Sequence, residues 1–119
     1  MSIIVEDPIT PGTYDLPAMI HGTNYEFGIV IRLDGETSEP KNLTGCAVAV
    51  ELLDNSGLIA TLTSASGLVL YPTEGGVLIQ LDDTIVSQYP LGELLYRLRI
   101  TETSGEIYRY MEGRIPVRE

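Results

Sequence analysis

The chain has 119 residues, 44% of them hydrophobic and 20% charged, with a formal net charge of −10. That length suits one domain with a core of its own, and the composition is too apolar for a disordered chain. An acidic balance of this size excludes nucleic acid as the main partner, since phosphate binding needs a clustered positive surface, and no apolar run reaches the roughly 20 residues of a membrane span.

Residues 1–13 read as an extended N-terminal arm, "IIV" followed by "EDPITPG", in which Pro8 and Pro11 forbid a helix. "SIIVEDP" after Met1 has no basic segment and carries acids early, so a signal peptide is not expected. Ile3, Ile4 and Val5 are too apolar to prefer water. The arm is therefore expected to pack on a neighbouring subunit or partner rather than on its own sandwich.

The domain proper is expected over 14–119. Alternation and turn signals predict strands at about 14–20, 24–33, 45–54, 58–63, 67–71, 76–81, 93–102 and 106–117. "HGTN", "LDGETSEPKN", "DNSG", "TEGG" and "TSGE" separate them. Only "LDDTIVSQYPLG" breaks the pattern, and it reads as a single helical turn capped by Asp82 or Asp83. Eight short strands with turns between them predict an all-β antiparallel sandwich of about 7–8 strands. Tyr25, Phe27, Ile29, Ile31, Val48, Val50, Leu52, Val77, Ile79, Leu81, Tyr96, Leu98 and Ile100 are its expected inward positions.

Residues that carry chemistry are few. His21 is the only histidine and Cys46 the only cysteine, so no intrachain disulfide framework exists. Cys46 falls on the apolar alternation of its strand and reads as a buried structural thiol, while His21 reads as a turn residue. "DD" at 82–83 lacks calcium-loop spacing, "EGG" at 74–76 lacks the rest of a phosphate loop, and no serine sits in a nucleophile elbow. The expectation is a protein that is no enzyme and takes no metal or cofactor.

Charge distribution is more informative. Residues 1–96 hold only Arg32 and Lys41 against 13 acids, whereas the last 23 residues hold five arginines against four glutamates. Arginine pairs bidentately and is enriched at interfaces, unlike the lysine that usually keeps a surface soluble. One reading makes Arg97, Arg99, Arg109 and Arg114 ordinary cross-strand partners of Glu93, Glu102, Glu106 and Glu112. The other makes them a contact surface for an acidic partner face, on another protein or on a second copy.

The order of signals also resembles a family. "YDLPAMIHGTNYEFGIVIRLDGE…PKNLTGCAVAVELLDNSG" is similar to small proteins of tailed bacteriophages, where an aromatic strand and a polar loop lead to a "(D/N)-L-T-G" turn. "GGVLIQLDDTIVSQYPLGELLYRLRITETSGEIYRYMEGRIPV" is similar to the close of the same pattern. The N-terminal domains of lactococcal-phage baseplate upper proteins share this layout, and the resemblance runs from Tyr14 to Val117. It implies an immunoglobulin-like sandwich serving as an assembly module in a virion, made in the host cytoplasm. Its expected partners are other virion proteins, capsid or tail/baseplate subunits, in a homo-oligomeric assembly. The long C-terminal extension of the baseplate proteins is missing, which points to a free-standing tail or baseplate adaptor or a capsid-decorating protein. The rival expectation is a glycan-binding sandwich of the phage surface, motivated by seven tyrosines.

Overall fold

A computed structural model describes residues 2–6, 12–32 and 40–119. Pro8, Pro11, Leu33 and most of the "LDGETSEPKN" turn lie outside the described residues.

The described residues form ten strands: β1 (Ser2–Glu6), β2 (Gly12–Thr13), β3 (Met19–Ile20), β4 (Tyr25–Arg32), β5 (Ala47–Asp54), β6 (Gly57–Leu62), β7 (Leu68–Tyr71), β8 (Gly76–Leu81), β9 (Gly92–Thr101) and β10 (Ile107–Arg118). Setting aside the two-residue β2 and β3 leaves eight. A 3₁₀ turn spans Pro72–Glu74, and one helical turn, α1, spans Asp83–Val86. The cap of α1 is Asp82, whose carboxylate accepts from the Ile85 N–H at 2.9 Å.

The strands make two sheets, one in the order β1-β4-β8-β7 and the other β2-β10-β9-β5-β6 with β3 also on β10. Every expected inward residue is buried between them. Period-two alternation places these side chains on one face of each strand, and removing that apolar area from water is what holds the sheets together. The chain is an all-β sandwich.

Three pairings depart from the antiparallel expectation: β1 on β4, β2 on β10 and β3 on β10 are parallel. The first corrects the reading of the arm. Ser2–Glu6 runs beside Gly28–Arg32 in the domain's own sheet, instead of leaving it for a neighbour. The prolines invoked against a strand stand at 8 and 11, beyond the paired residues.

Segment 14–20 is likewise only partly a strand. The Tyr14 and Leu16 N–H groups donate to the Glu112 and Arg114 carbonyls, and regular pairing resumes at Met19. Pro17 has no N–H to continue the ladder. Gly113 lets this segment come close: a Cβ there would lie 2.1 Å from the Tyr14 carbonyl oxygen.

The last strand departs from simple alternation. A bulge between Arg109 and Met111 shifts its register against β9. Tyr110 and Met111 are therefore both buried, while Ile107, Tyr108 and Arg109 are exposed, so strict alternation fails over this stretch.

Candidate docking face on the larger sheet

Residues directly opposite one another in adjacent strands share a sheet face, so the register of β6, β5, β9 and β10 orders the outward side chains into rows. The first row is Leu58, Leu53, Leu95 and Arg114. The second is Thr61, Glu51, Arg97 and Glu112, and the third is Ala49, Arg99 and Arg109. Alternation along β9 thus puts Arg97 and Arg99 in the middle of the sheet, and the bulge in β10 brings Arg109 directly opposite Arg99. Four arginines meet Glu51, Glu93 and Glu112 on this surface.

Ion pairs connect most of them. Arg99 Nε lies 3.4 Å from Glu51 Oε1, Arg109 Nη1 donates to Glu112 Oε1 at 3.2 Å, and Arg114 Nη1 lies 3.4 Å from Glu93 Oε1. The Arg99 contact has an ion pair's distance without a hydrogen bond's geometry, so its buried Nε–H goes unbonded.

Arg97 differs. Both of its lateral neighbours are glutamates, Glu51 on β5 and Glu112 on β10. Each carboxylate turns instead to another arginine. Among the described residues Arg97 therefore makes no ion pair and no side-chain hydrogen bond, although it is half-buried. It lines an open cleft of about 280 Å³ with Thr13, Asp15, Leu95, Arg109 and Arg114. An unengaged guanidinium beside a groove can take a carboxylate from outside at little rearrangement cost, since its fork is preorganised for two parallel hydrogen bonds.

Comparison with known proteins finds this architecture elsewhere. No family model matches the chain, and no curated protein matches it. Among solved structures, the chain is similar to the N-terminal domain of phage TP901-1 ORF48, with a TM-score of 0.59 at 14% identity over 99% of this chain and 97% of that one. A likeness at that identity concerns the fold.

Ile3, Ile4 and Val5 lie in β1, opposite Ile29, Val30 and Ile31 of the smaller sheet. The structure therefore does not bring them together with the four arginines, which stand on the larger sheet. The cross-strand reading holds for Arg114 on β10 with Glu93 on β9, whereas Arg109 reaches Glu112 along its own strand across the bulge. Arg99 turns to Glu51, and Glu102 and Glu106 have other partners, Lys41 and Tyr108.

Lys41 is a residue that sequence reasoning missed. The only lysine is buried, with Nζ 2.8 Å from Glu102 Oε1 and 5.6 Å from the centre of the Tyr110 ring. The other Glu102 oxygen lies 3.9 Å from Cys46 Sγ. Burial pushes the Cys46 thiol up, and the Glu102 charge adds to the shift. Cys46 itself is half-buried rather than buried as expected, because its strand pairing starts only at Ala47. His21 Nε2 donates to the Tyr89 carbonyl at 2.8 Å, which makes it a tie between a turn and the segment after α1. Among the described residues no group of three or more His, Cys, Asp or Glu side chains could hold a metal ion, and no helix is long and apolar enough to cross a membrane.

Proposed function

We propose that this protein is a structural module of a tailed-phage virion, an immunoglobulin-like sandwich that joins other virion proteins without enzymatic activity. A tail or baseplate adaptor and a capsid-decorating protein are the two forms of that role. The observation that carries the reading is the end-to-end likeness to a phage protein domain, which covers 99% of this chain. The arginine face supports it, because a domain that needed only to fold would have no use for a half-buried guanidinium bracketed by two glutamates that both pair elsewhere.

The glycan reading has less behind it. Tyr25, Tyr89, Tyr96 and Tyr110 are spent in the core and Tyr14 packs against it, which leaves Tyr71 and Tyr108 as the exposed rings.

The test has two arms. Mass spectrometry of gradient-banded particles from the producing phage is expected to find the protein at stoichiometric level, and its absence from intact virions would overturn the virion role. The Arg97→Gln/Arg99→Gln variant is expected to melt near the wild-type temperature while its binding to particles falls at least tenfold and weakens further with salt. Intact binding with a lowered melting temperature would leave the arginines as cross-strand partners.

A further inference from the structure

Charge is missing from one side of the sandwich. Nineteen consecutive residues, Asn55 to Thr73, contain no charged side chain, in a chain with 17 acids and 7 bases. This stretch builds β6 and β7, and each ends its sheet. A turn over 63–67 links them, so the two sheet ends lie along one side of the molecule. Among the described residues, β6 pairs only with β5 and β7 only with β8.

An edge strand presents unpaired N–H and C=O groups, and soluble domains blunt such edges with charge, proline or brevity. The opposite side of this sandwich is treated that way. β2 and β3 have two residues each with Pro17 between them, and β1 ends on Glu6. β6 is six residues of Gly, Leu, Ile, Ala and Thr, with Leu58 55% exposed.

We infer that β6 is a seam at which two copies of this chain join edge to edge, antiparallel about a two-fold axis. Two arguments select a second copy as the occupant. Copies that each carry −10 repel one another wherever their charges approach, and this strand is the part of the surface where nothing charged has to be brought together. Antiparallel pairing of a strand with itself is also self-complementary and uses up both edges, so it closes at a dimer. A partner recognised by charge would find nothing here to read. The seam goes beyond the proposed virion role and does not depend on it.

Salt separates the two surfaces. A contact through Arg97 weakens as salt screens it, whereas the β6 seam strengthens, because screening relieves only the repulsion between copies.

The experiment is sedimentation and amide hydrogen exchange of the full chain across protein concentration and salt, with Leu58→Lys, Thr61→Lys and Leu91→Lys. Each lysine takes the formal charge from −10 to −9 and so lowers long-range repulsion equally. All three positions are exposed, and only the first two lie on β6. Wild type is expected to dimerise more tightly at high salt, with β6 amides exchanging more slowly as concentration rises. Leu58→Lys and Thr61→Lys should raise the dimer dissociation constant about tenfold or more at unchanged melting temperature, and Leu91→Lys should not raise it. A wild type that stays monomeric at every concentration and salt would overturn the seam. So would a dimer indifferent to the β6 lysines, one weakened equally by Leu91→Lys, or β6 amides whose exchange ignores concentration.

Discussion

Along β9, Leu94, Tyr96, Leu98 and Ile100 face the core at exposures of 1% or less, while Leu95, Arg97, Arg99 and Thr101 face outward on the same ten residues of backbone. The inward set is dictated by burial. A side chain there either fills space between two sheets or leaves a hole. The outward set is not dictated by the fold, since any polar residue with a taste for extended backbone would serve. What stands on the outer face is free to answer other demands than folding, and there it includes two arginines.

The sharpest way to break this contrast is to charge the inner face. Leu98→Asp puts a carboxylate where nothing can pair with it, and a loss of about 4 kcal/mol or more is expected by urea denaturation, a large share of a small domain's stability. Wild-type unfolding of that variant would mean that inner and outer positions do not differ as described.

Lys41 sharpens the contrast, being a cation that behaves like a core residue. Lys41→Ala strands Glu102 at a mostly buried position and is expected to cost about 2 kcal/mol, less than a fully buried pair because both side chains keep some access to water. Thermal melting of Lys41→Ala beside Lys41→Ala/Glu102→Ala checks the origin of the loss, since the double variant should recover part of it.

Asp82 sits lower on the scale. Asp82→Ala removes the α1 cap and should lower stability measurably at neutral pH, by less than Lys41→Ala does. Hydrogen bonds from the Thr84 hydroxyl and the Ile85 N–H hold the Asp82 carboxyl below its usual value. Its contribution is thus fully present above the ordinary carboxylate range near pH 4 and is lost as pH falls through the depressed folded-state value. The gap between wild type and variant in denaturant should close as the solution is acidified, and a gap that widens there would contradict the cap.

The smallest effect belongs to the paired outer arginines. Arg109→Gln and Arg114→Gln each break one exposed ion pair and should change stability by about 0–1 kcal/mol, read as a shift of at most a few degrees in melting temperature.

The sequence made the inner face legible because alternation survives wherever strands run straight: the residues chosen on β4, β5, β8 and β9 are all buried. The Asp82 cap was readable from the acid pair that opens α1. Where reading failed, the deciding contact was distant. "EIYRYMEGR" alternates in either register, so nothing local says that Tyr110 and Met111 both turn inward. Lys41 and Glu102 lie 61 positions apart, and no pattern around either announces the other. The arm departs from its expected path because the prolines that argue against a strand begin at Pro8, beyond the pairing with β4 that ends at Glu6. Four arginines could be placed on one hairpin from the sequence. That Arg97 alone among them lacks a carboxylate depends on where Glu51 and Glu112 turn, which only side-chain packing decides.

The parallel pairing of β2 and β3 with β10 has a temporal consequence. Gly12, Thr13, Met19 and Ile20 are made well before their partners, Met111, Glu112, Val117 and Arg118. At about 5–20 residues per second the ribosome takes roughly 5–18 seconds to travel from one group to the other. Throughout that interval Leu16 and Met19, both core residues, have no strand to dock beside. The domain cannot be completed strand by strand in the order it is synthesised. Its closure waits for the final strand, and a chain interrupted before β10 would leave both of its ends open to other nascent chains.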